Sequence, residues 1–279
     1  MFAEKTLDKS RLTWDWCKND PDLVASIVKA KAATKVYKEN DYPDFNQAIR
    51  SETKITVSKK RTYQAAMDLY HADESLNIAV LNFANAFHPG GGVASGSSAQ
   101  EESLCRCSTL DPLLYRRSLR DEFYDYHAKL NDSKATDALI YTPGVVICKT
   151  DTDLPERMDK KDWVEITVLT CAAPDLRKKS NSHAPLVGSG TYMNNAELFG
   201  YHVRRAIHIL TVAAAEGIDA LVLGAFGCGA FQNDPAVVAR AYRTALNEFS
   251  GIFRQIEFAV YCTPGHEENY EAFSRMFQT

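Results

Sequence analysis

The 279-residue sequence predicts an α/β fold built on a largely parallel sheet, with an N-terminal helical extension in front of it. Three observations carry that expectation. From Ile55 onward, short apolar or β-branched runs alternate with stretches of helical period, the pattern of strands joined by helical crossovers. Two of those runs, Ile78–Phe83 and Leu221–Leu223, each lead into a glycine-rich loop that opens a helix. The composition, 45% hydrophobic and 24% charged with a net charge of −4, is that of a globular chain and excludes collagen-like, disordered and membrane-spanning classes. The length suits one large domain with an appendage, divided here into an extension of residues 1–52 and a domain of residues 53–279.

Asp20-Pro21 places an N-cap before a proline at the first helical position. Leu23, Ile27, Ala30, Thr34 and Tyr37 follow on one face, so a helix is expected as far as Asn40-Asp41-Tyr42-Pro43, and the first fifty residues read as helical and separate from the sheet. Ile55 and Val57 alternate as a short strand, Arg61 to His71 forms a helix, and Ile78–Phe83 is a buried strand. Gly90 to Ser98 is a loop, and a helix opens near Gln100. Leu139-Ile140-Tyr141 and Val145-Val146-Ile147 flank Pro143-Gly144 as short edge strands. Asp151 to Lys161, charged and without apolar period, is a surface loop before the strand Trp163 to Cys171. A long helix from Asn194 to Glu216 has Val203, Ile207, Leu210 and Ala214 as its buried stripe and Gly217 as its stop. After Leu221–Leu223 comes the loop Gly224 to Phe231, then Asp234-Pro235 opens a helix with Val238, Tyr242, Ala245 and Phe249 inward. Gly251 stops it, and Ile256, Phe258 and Val260 alternate as a last strand.

Seven cysteines at scattered spacings, with no Cys-x-x-Cys pair, read as reduced thiols. Met1-Phe2-Ala3-Glu4-Lys5 carries charge where a signal peptide has its apolar stretch, so an intracellular protein, cytoplasmic or nuclear, is expected. Through Arg61, Lys and Arg outnumber Asp and Glu 13 to 9, which reads first as a solvated surface.

Two glycine loops at strand ends suit a phosphorylated or diphosphate-bearing ligand, because glycine lets backbone N–H groups converge on an anion and a following helix adds its dipole. Gly90 to Ala99 holds no lysine, which disfavours a P-loop, and Gly224-x-x-Gly227-x-Gly229 is not a dinucleotide fingerprint. Beside the first loop stands Gln100-Glu101-Glu102. Two carboxyls next to an anion site suit acid-assisted cleavage at a sugar. Ser98-x-x-Glu101 equally matches a capping box, so on residues alone capping and catalysis both stand. A helix N-terminus lowers a carboxyl pKa while a bound diphosphate raises it, so Glu102 is expected to be an acid once substrate is bound.

Asn82-Phe83-Ala84-Asn85 running into Pro89-Gly90-Gly91-Gly92, then seven residues to Gln100-Glu101-Glu102-Ser103-Leu104-Cys105, resembles the signature of microbial-type poly(ADP-ribose) glycohydrolases. The resemblance extends to Thr170-Cys171-Ala172-Ala173-Pro174, to Gly224 through Pro235, and to Phe258-Ala259-Val260-Tyr261 with Glu268 through Phe273. It implies a three-layer α/β/α macrodomain with a mixed, largely parallel central sheet, which hydrolyses ribose–ribose O-glycosidic bonds of poly(ADP-ribose) and releases ADP-ribose. By position, Glu102 resembles the general acid and Glu101 the carboxylate that hydrogen-bonds ribose hydroxyls. Asn85, Gly90, Gly91, Gly92, Val93 and Gln100 fall on the ribose side, with Asn85 and the Gly90–Val93 loop holding the distal ribose. Backbone N–H groups of Gly227, Cys228, Gly229 and Ala230 would cradle the diphosphate, and Phe231 would press on the ribose. The resemblance implies no metal, no cofactor and no membrane partner; the substrate is poly(ADP-ribose) or an ADP-ribosylated macromolecule, and a monomer is expected. Asp175 stands where Asn is common in the family, and Cys262 where an acidic residue commonly follows the last strand.

A reader that binds ADP-ribose without turnover needs the loops but not the carboxyl pair; a hydrolase of mono-ADP-ribosylated acceptors presents the same ribose. His88 reads as a positional residue at the cleft mouth, His202 and His208 do not share a helix face, and Cys105, Cys107 and the Cys228 thiol read as bystanders. Arg204-Arg205 and Arg177-Lys178-Lys179 read as solvated, the second run as cations able to meet the negative charge of a polymeric substrate.

Overall fold

The computed structural model describes residues 16–46, 52–177 and 193–278, so Lys178 and Lys179 lie outside the described residues. The strands are β1 (Lys35–Tyr37), β2 (Lys54–Ser58), β3 (Ile78–Phe83), β4 (Leu139–Ile147), β5 (Val164–Cys171), β6 (Ala220–Leu223) and β7 (Gln255–Ala259). The main helices are α1 (Pro21–Ala33), α2 (Thr62–Ala72), α3 (Gln100–Cys107), α4 (Asn195–Ala215), α5 (Pro235–Leu246) and α6 (Glu268–Phe277). Among the described residues the strands form one sheet in the order β1-β4-β5-β3-β6-β7-β2. The five from β5 to β2 are mutually parallel, and β4 and β1 add antiparallel pairings.

Alternation along the central strands divides the interior in two. Ile78 and Val80 of β3 pack with α1, α2 and α3, whereas Ala79 and Leu81 pack with α4, α5 and α6. The result is the three-layer α/β/α sandwich. Both proline caps form: Asp20 Oδ1 accepts from Asp22 and Leu23 N–H, and Asp234 Oδ1 from Ala236 and Val237 N–H.

Four expectations are corrected. The first helix ends at Ala33, and Lys35–Tyr37 pairs with Leu139–Tyr141, so the early chain supplies an edge strand instead of standing apart. Thr34, Val36 and Tyr37, β-branched or aromatic, favour strand once an open sheet edge is beside them. The runs around Pro143-Gly144 are one continuous strand, β4, with a register shift between Thr142 and Val145, and β1 covers it, so it is not an edge. In α4 Leu210 and Ala214 of the expected stripe are buried, but Val203 and Ile207 are only half-buried, and His202, Arg205, Ala206, Ile209 and Ala213 share the buried face. Arg205, expected in solvent, is 1% exposed; its Nε donates to Asp137 and its other nitrogens to the carbonyls of Ala172, Lys134 and Ala135. Short helical pieces within 110–130, unassigned from sequence, bury Leu110, Leu113, Leu114, Leu119 and Phe123 against the first core.

Candidate active site

The carboxyl ends of β5, β3 and β6 lie along one edge, because the three strands run parallel and adjacent. Each delivers a loop there. The loop after β3 begins with a turn in which Asn85 Oδ1 accepts from Phe87 and His88 N–H at 2.9 and 3.1 Å. It then passes through Gly90 and Gly91, both at positive φ. Only glycine serves at Gly91: a Cβ there would lie 2.6 Å from Glu102 Oε1 and 2.9 Å from Glu101 Oε2. Two carboxyl oxygens within about 3 Å of one point place both side chains under the loop.

The glutamates are held differently. Glu101 is 3% exposed; its Oε2 accepts from Asn85 N–H at 2.8 Å, and its Oε1 lies 3.4 Å from Asn82 Nδ2. Burial pushes its carboxyl up to about 8, opposed by the Asn85 N–H and reinforced by the charge of Glu102. Glu102 Oε1 accepts from Gly92 N–H at 2.8 Å, while its Oε2 is buried without a hydrogen-bond partner. The capping alternative is not what forms. Helix α3 begins one residue later than that box requires, with Ala99 as N-cap, and the Glu101 side chain turns to Asn85.

Gln100, expected among substrate-binding residues, is a clamp. Its Oε1 accepts from Phe83 N–H at 2.9 Å, and its Nε2 donates to Leu81 O and Thr62 Oγ1, which ties α3 to β3 and α2. Asp151, expected on a surface loop, is buried; it accepts from Tyr63 N–H at the start of α2 and from Ser103 Oγ on α3. Val93 is buried in a short turn, Val93–Ser95.

The loop after β6 offers donors. The N–H groups of Gly227, Gly229, Ala230 and Phe231 have no partner among the described residues. The Cys228 N–H, expected in the cradle, is instead committed to Ala225 O at 3.0 Å, closing the turn. Burial pushes the Cys228 thiol up, away from nucleophilic character. Asn233, unremarked in the sequence, knots this loop: its Nδ2 lies within hydrogen-bond reach of Pro174 O, Gly227 O and Phe231 O, and its Oδ1 accepts from His202 Nε2 at 2.8 Å. Burial lowers His202 to about 4, so the ring is neutral. His208 bonds the carbonyls of Asp137 and Asp41, Cys105 and Cys107 are buried, and His88 is exposed at the cleft. Tyr261, 49% exposed just beyond β7, has the Arg61 guanidinium 4.0 Å over its ring.

Between the loops lies a cavity lined by Asn85, His88, Ser133, Asp175, Arg177 and Phe231 among others. Among the described residues no three His, Cys, Asp or Glu side chains come together as metal ligands, and no helix is long and apolar enough to cross a membrane.

The fold and this edge define the class: an α/β/α enzyme of macrodomain type, with a carboxyl pair beside one strand-end loop and, among the described residues, four unpartnered amides in another. A family model for the catalytic domain of microbial-type poly(ADP-ribose) glycohydrolase matches residues 15–150. The poly(ADP-ribose) glycohydrolase of Thermomonospora curvata bound to the inhibitor ADP-HPD is 30% identical, with a TM-score of 0.81 over 98% of this chain and 100% of that one. That of Deinococcus radiodurans in complex with ADP-ribose is 30% identical, with a TM-score of 0.76 over 90% and 97%. No curated protein matches the sequence. The chain belongs to the microbial-type poly(ADP-ribose) glycohydrolase family.

Proposed function

We propose that the protein hydrolyses the ribose–ribose O-glycosidic bonds of poly(ADP-ribose) and releases ADP-ribose, with Glu102 as the general acid. The observation that carries this is the asymmetry of the carboxyl pair. Glu101 has a donor near each oxygen, which suits a positioning role toward ribose hydroxyls, whereas the Oε2 of Glu102 has none. A buried, unsatisfied carboxyl oxygen is costly in the free protein and is relieved by a proton or by a substrate oxygen.

In this reading the amides of Gly227, Gly229, Ala230 and Phe231 hold the diphosphate, and Asn85 and Phe231 hold the distal ribose. Glu102 gives its proton to the leaving ribose oxygen as the C–O bond breaks. A water near the diphosphate adds to the anomeric carbon, and its proton returns to Glu102.

Labelled poly(ADP-ribose) incubated with wild type and with Glu102→Gln tests it. The expected result is release of ADP-ribose by wild type, slowed on the order of 10²–10⁴-fold in the variant, with ADP-ribose binding retained. No release by wild type would favour a binding protein; equal release by both would remove Glu102 from the acid role.

A further inference from the structure

The cavity between the loops has a wall that the hydrolytic chemistry leaves unused. Asn85 and Phe231 are already placed on the distal ribose, and neither Glu101 nor Glu102 lines this space. The rest of its polar lining is His88, Ser133 and the segment following β5, Asp175 and Arg177. Arg177 belongs to the basic run that reads as solvated in the sequence, yet its head group is fixed. Its Nε donates to both Asp175 oxygens at 2.9 and 3.1 Å and its Nη2 to Oδ2 at 2.6 Å.

The ion pair is itself anchored. Asp175 N–H donates to Ser133 O, Arg177 N–H to Asp175 Oδ1, and the intervening Leu176 N–H to Phe231 O at 3.0 Å. The guanidinium lies 5.2 Å from the centre of the Phe231 ring, within range of a cation–π contact. A guanidinium has five N–H groups in a rigid fork, and the Asp175 contact occupies the Nε edge, so the Nη1 pair and one Nη2 N–H have no partner among the described residues. The side chain is 38% exposed, so those donors are reachable. The amides of the loop after β6 already serve the diphosphate of the retained unit. A fixed fork stacked on the residue that contacts the ribose is therefore available to what that ribose is bonded to.

We infer that Arg177, aligned by Asp175 and stacked on Phe231, is a specificity-determining residue that hydrogen-bonds phosphate or ribose oxygens of the unit on the leaving side of the scissile bond. It selects a leaving group that is itself an ADP-ribose unit over an uncharged acceptor side chain. The inference rests on the glycohydrolase reading above and deepens it. Asp175 is what makes the alignment ionic and bidentate.

Binding separates the two ideas. With Glu102→Gln as background, so that nothing is turned over, affinities are measured for ADP-ribose and for short poly(ADP-ribose) oligomers. Adding Arg177→Met is expected to lower oligomer affinity about tenfold, the size of one lost charge-assisted hydrogen bond, and to leave ADP-ribose affinity within about twofold. Arg177→Lys, which keeps the charge and loses the fork, is expected to recover only part of the difference, and Asp175→Asn to lose part of it. Equal weakening toward both ligands would make Arg177 a structural prop or a contact of the retained unit, and an unchanged ratio would remove it from recognition; either overturns the inference. The glycohydrolase reading fails on a different observation, the absence of ADP-ribose release by wild type.

Discussion

Glu101 and Glu102 are adjacent in the chain and answer to different surroundings: Glu101 has a donor near each oxygen, whereas Glu102 has one oxygen bonded to Gly92 N–H and one with no partner. The Glu101 carboxyl, at about 8 against an ordinary 4.5, is protonated at neutral pH. Because its folded pKa is raised, the stability it contributes is fully present below about pH 4.5 and is lost as pH rises through about 8. Asp111, which burial pushes up to about 6, acts in the same direction over a lower window. Wild type is therefore expected to lose thermal stability between pH 5 and pH 8 more steeply than Glu101→Gln, whose neutral amide does not titrate. Melting temperatures at pH 5, 6.5, 8 and 9 check this, and parallel curves for the two proteins would refute the assignment. The pair itself was legible in the sequence, because the spacing from the triple glycine is a motif. Which oxygen is left without a donor was not, because it depends on the Asn85 and Gly92 amides folding back over α3.

Among the elements, the two glycine loops prove to have different tasks. The loop after β3 spends its amides on itself and on the carboxyls: Gly91 N–H closes on His88 O, Val93 N–H on Gly90 O, and Gly92 N–H holds Glu102. The loop after β6 leaves the amides of Gly227, Gly229, Ala230 and Phe231 without a partner among the described residues, and Asn233 with His202 braces it from beside. Asn233→Ala leaves three buried or half-buried carbonyls with one fewer donor and His202 Nε2 without its acceptor. Weaker ADP-ribose binding, by about tenfold, and a lowered melting temperature are expected, with His202→Gln closer to wild type because it keeps a donor. Calorimetric titration with ADP-ribose reads the first effect, and an Asn233→Ala protein that binds like wild type would show the loop to be self-supporting. Glycine and proline made the loops and the helix caps readable, since both act locally. Asn233, Arg205 and Asp151 were unreadable for the opposite reason: each reaches a partner far away in the chain, Pro174 at 59 residues, Ala172 at 33 and Tyr63 at 88. Tyr37 misled because its spacing fits a helix face while its partner, the edge of β4, is supplied only by the tertiary fold.

At the scale of the whole molecule, an acidic protein has to bind a polyanion. A net charge of −4 gives no general attraction, and a protein that gathers such a chain with a broad basic field would carry many lysines and arginines on one face. In the reading proposed above, the recognising groups are uncharged backbone amides together with one arginine, Arg177, which is paired with Asp175 and keeps N–H donors for a phosphate. Counterion release makes the consequence measurable, because the salt dependence of binding scales with the number of phosphates met by cations. One or two such contacts correspond to a change of about 3–12-fold in apparent affinity between 50 and 200 mM salt, whereas six to ten correspond to roughly 10³–10⁵-fold. The KM for poly(ADP-ribose), followed across that range, is expected to show the smaller change, and Arg177→Met is expected to flatten it further. A thousandfold rise would mean that a cationic surface gathers the polymer, and the two-loop account of recognition would then be insufficient.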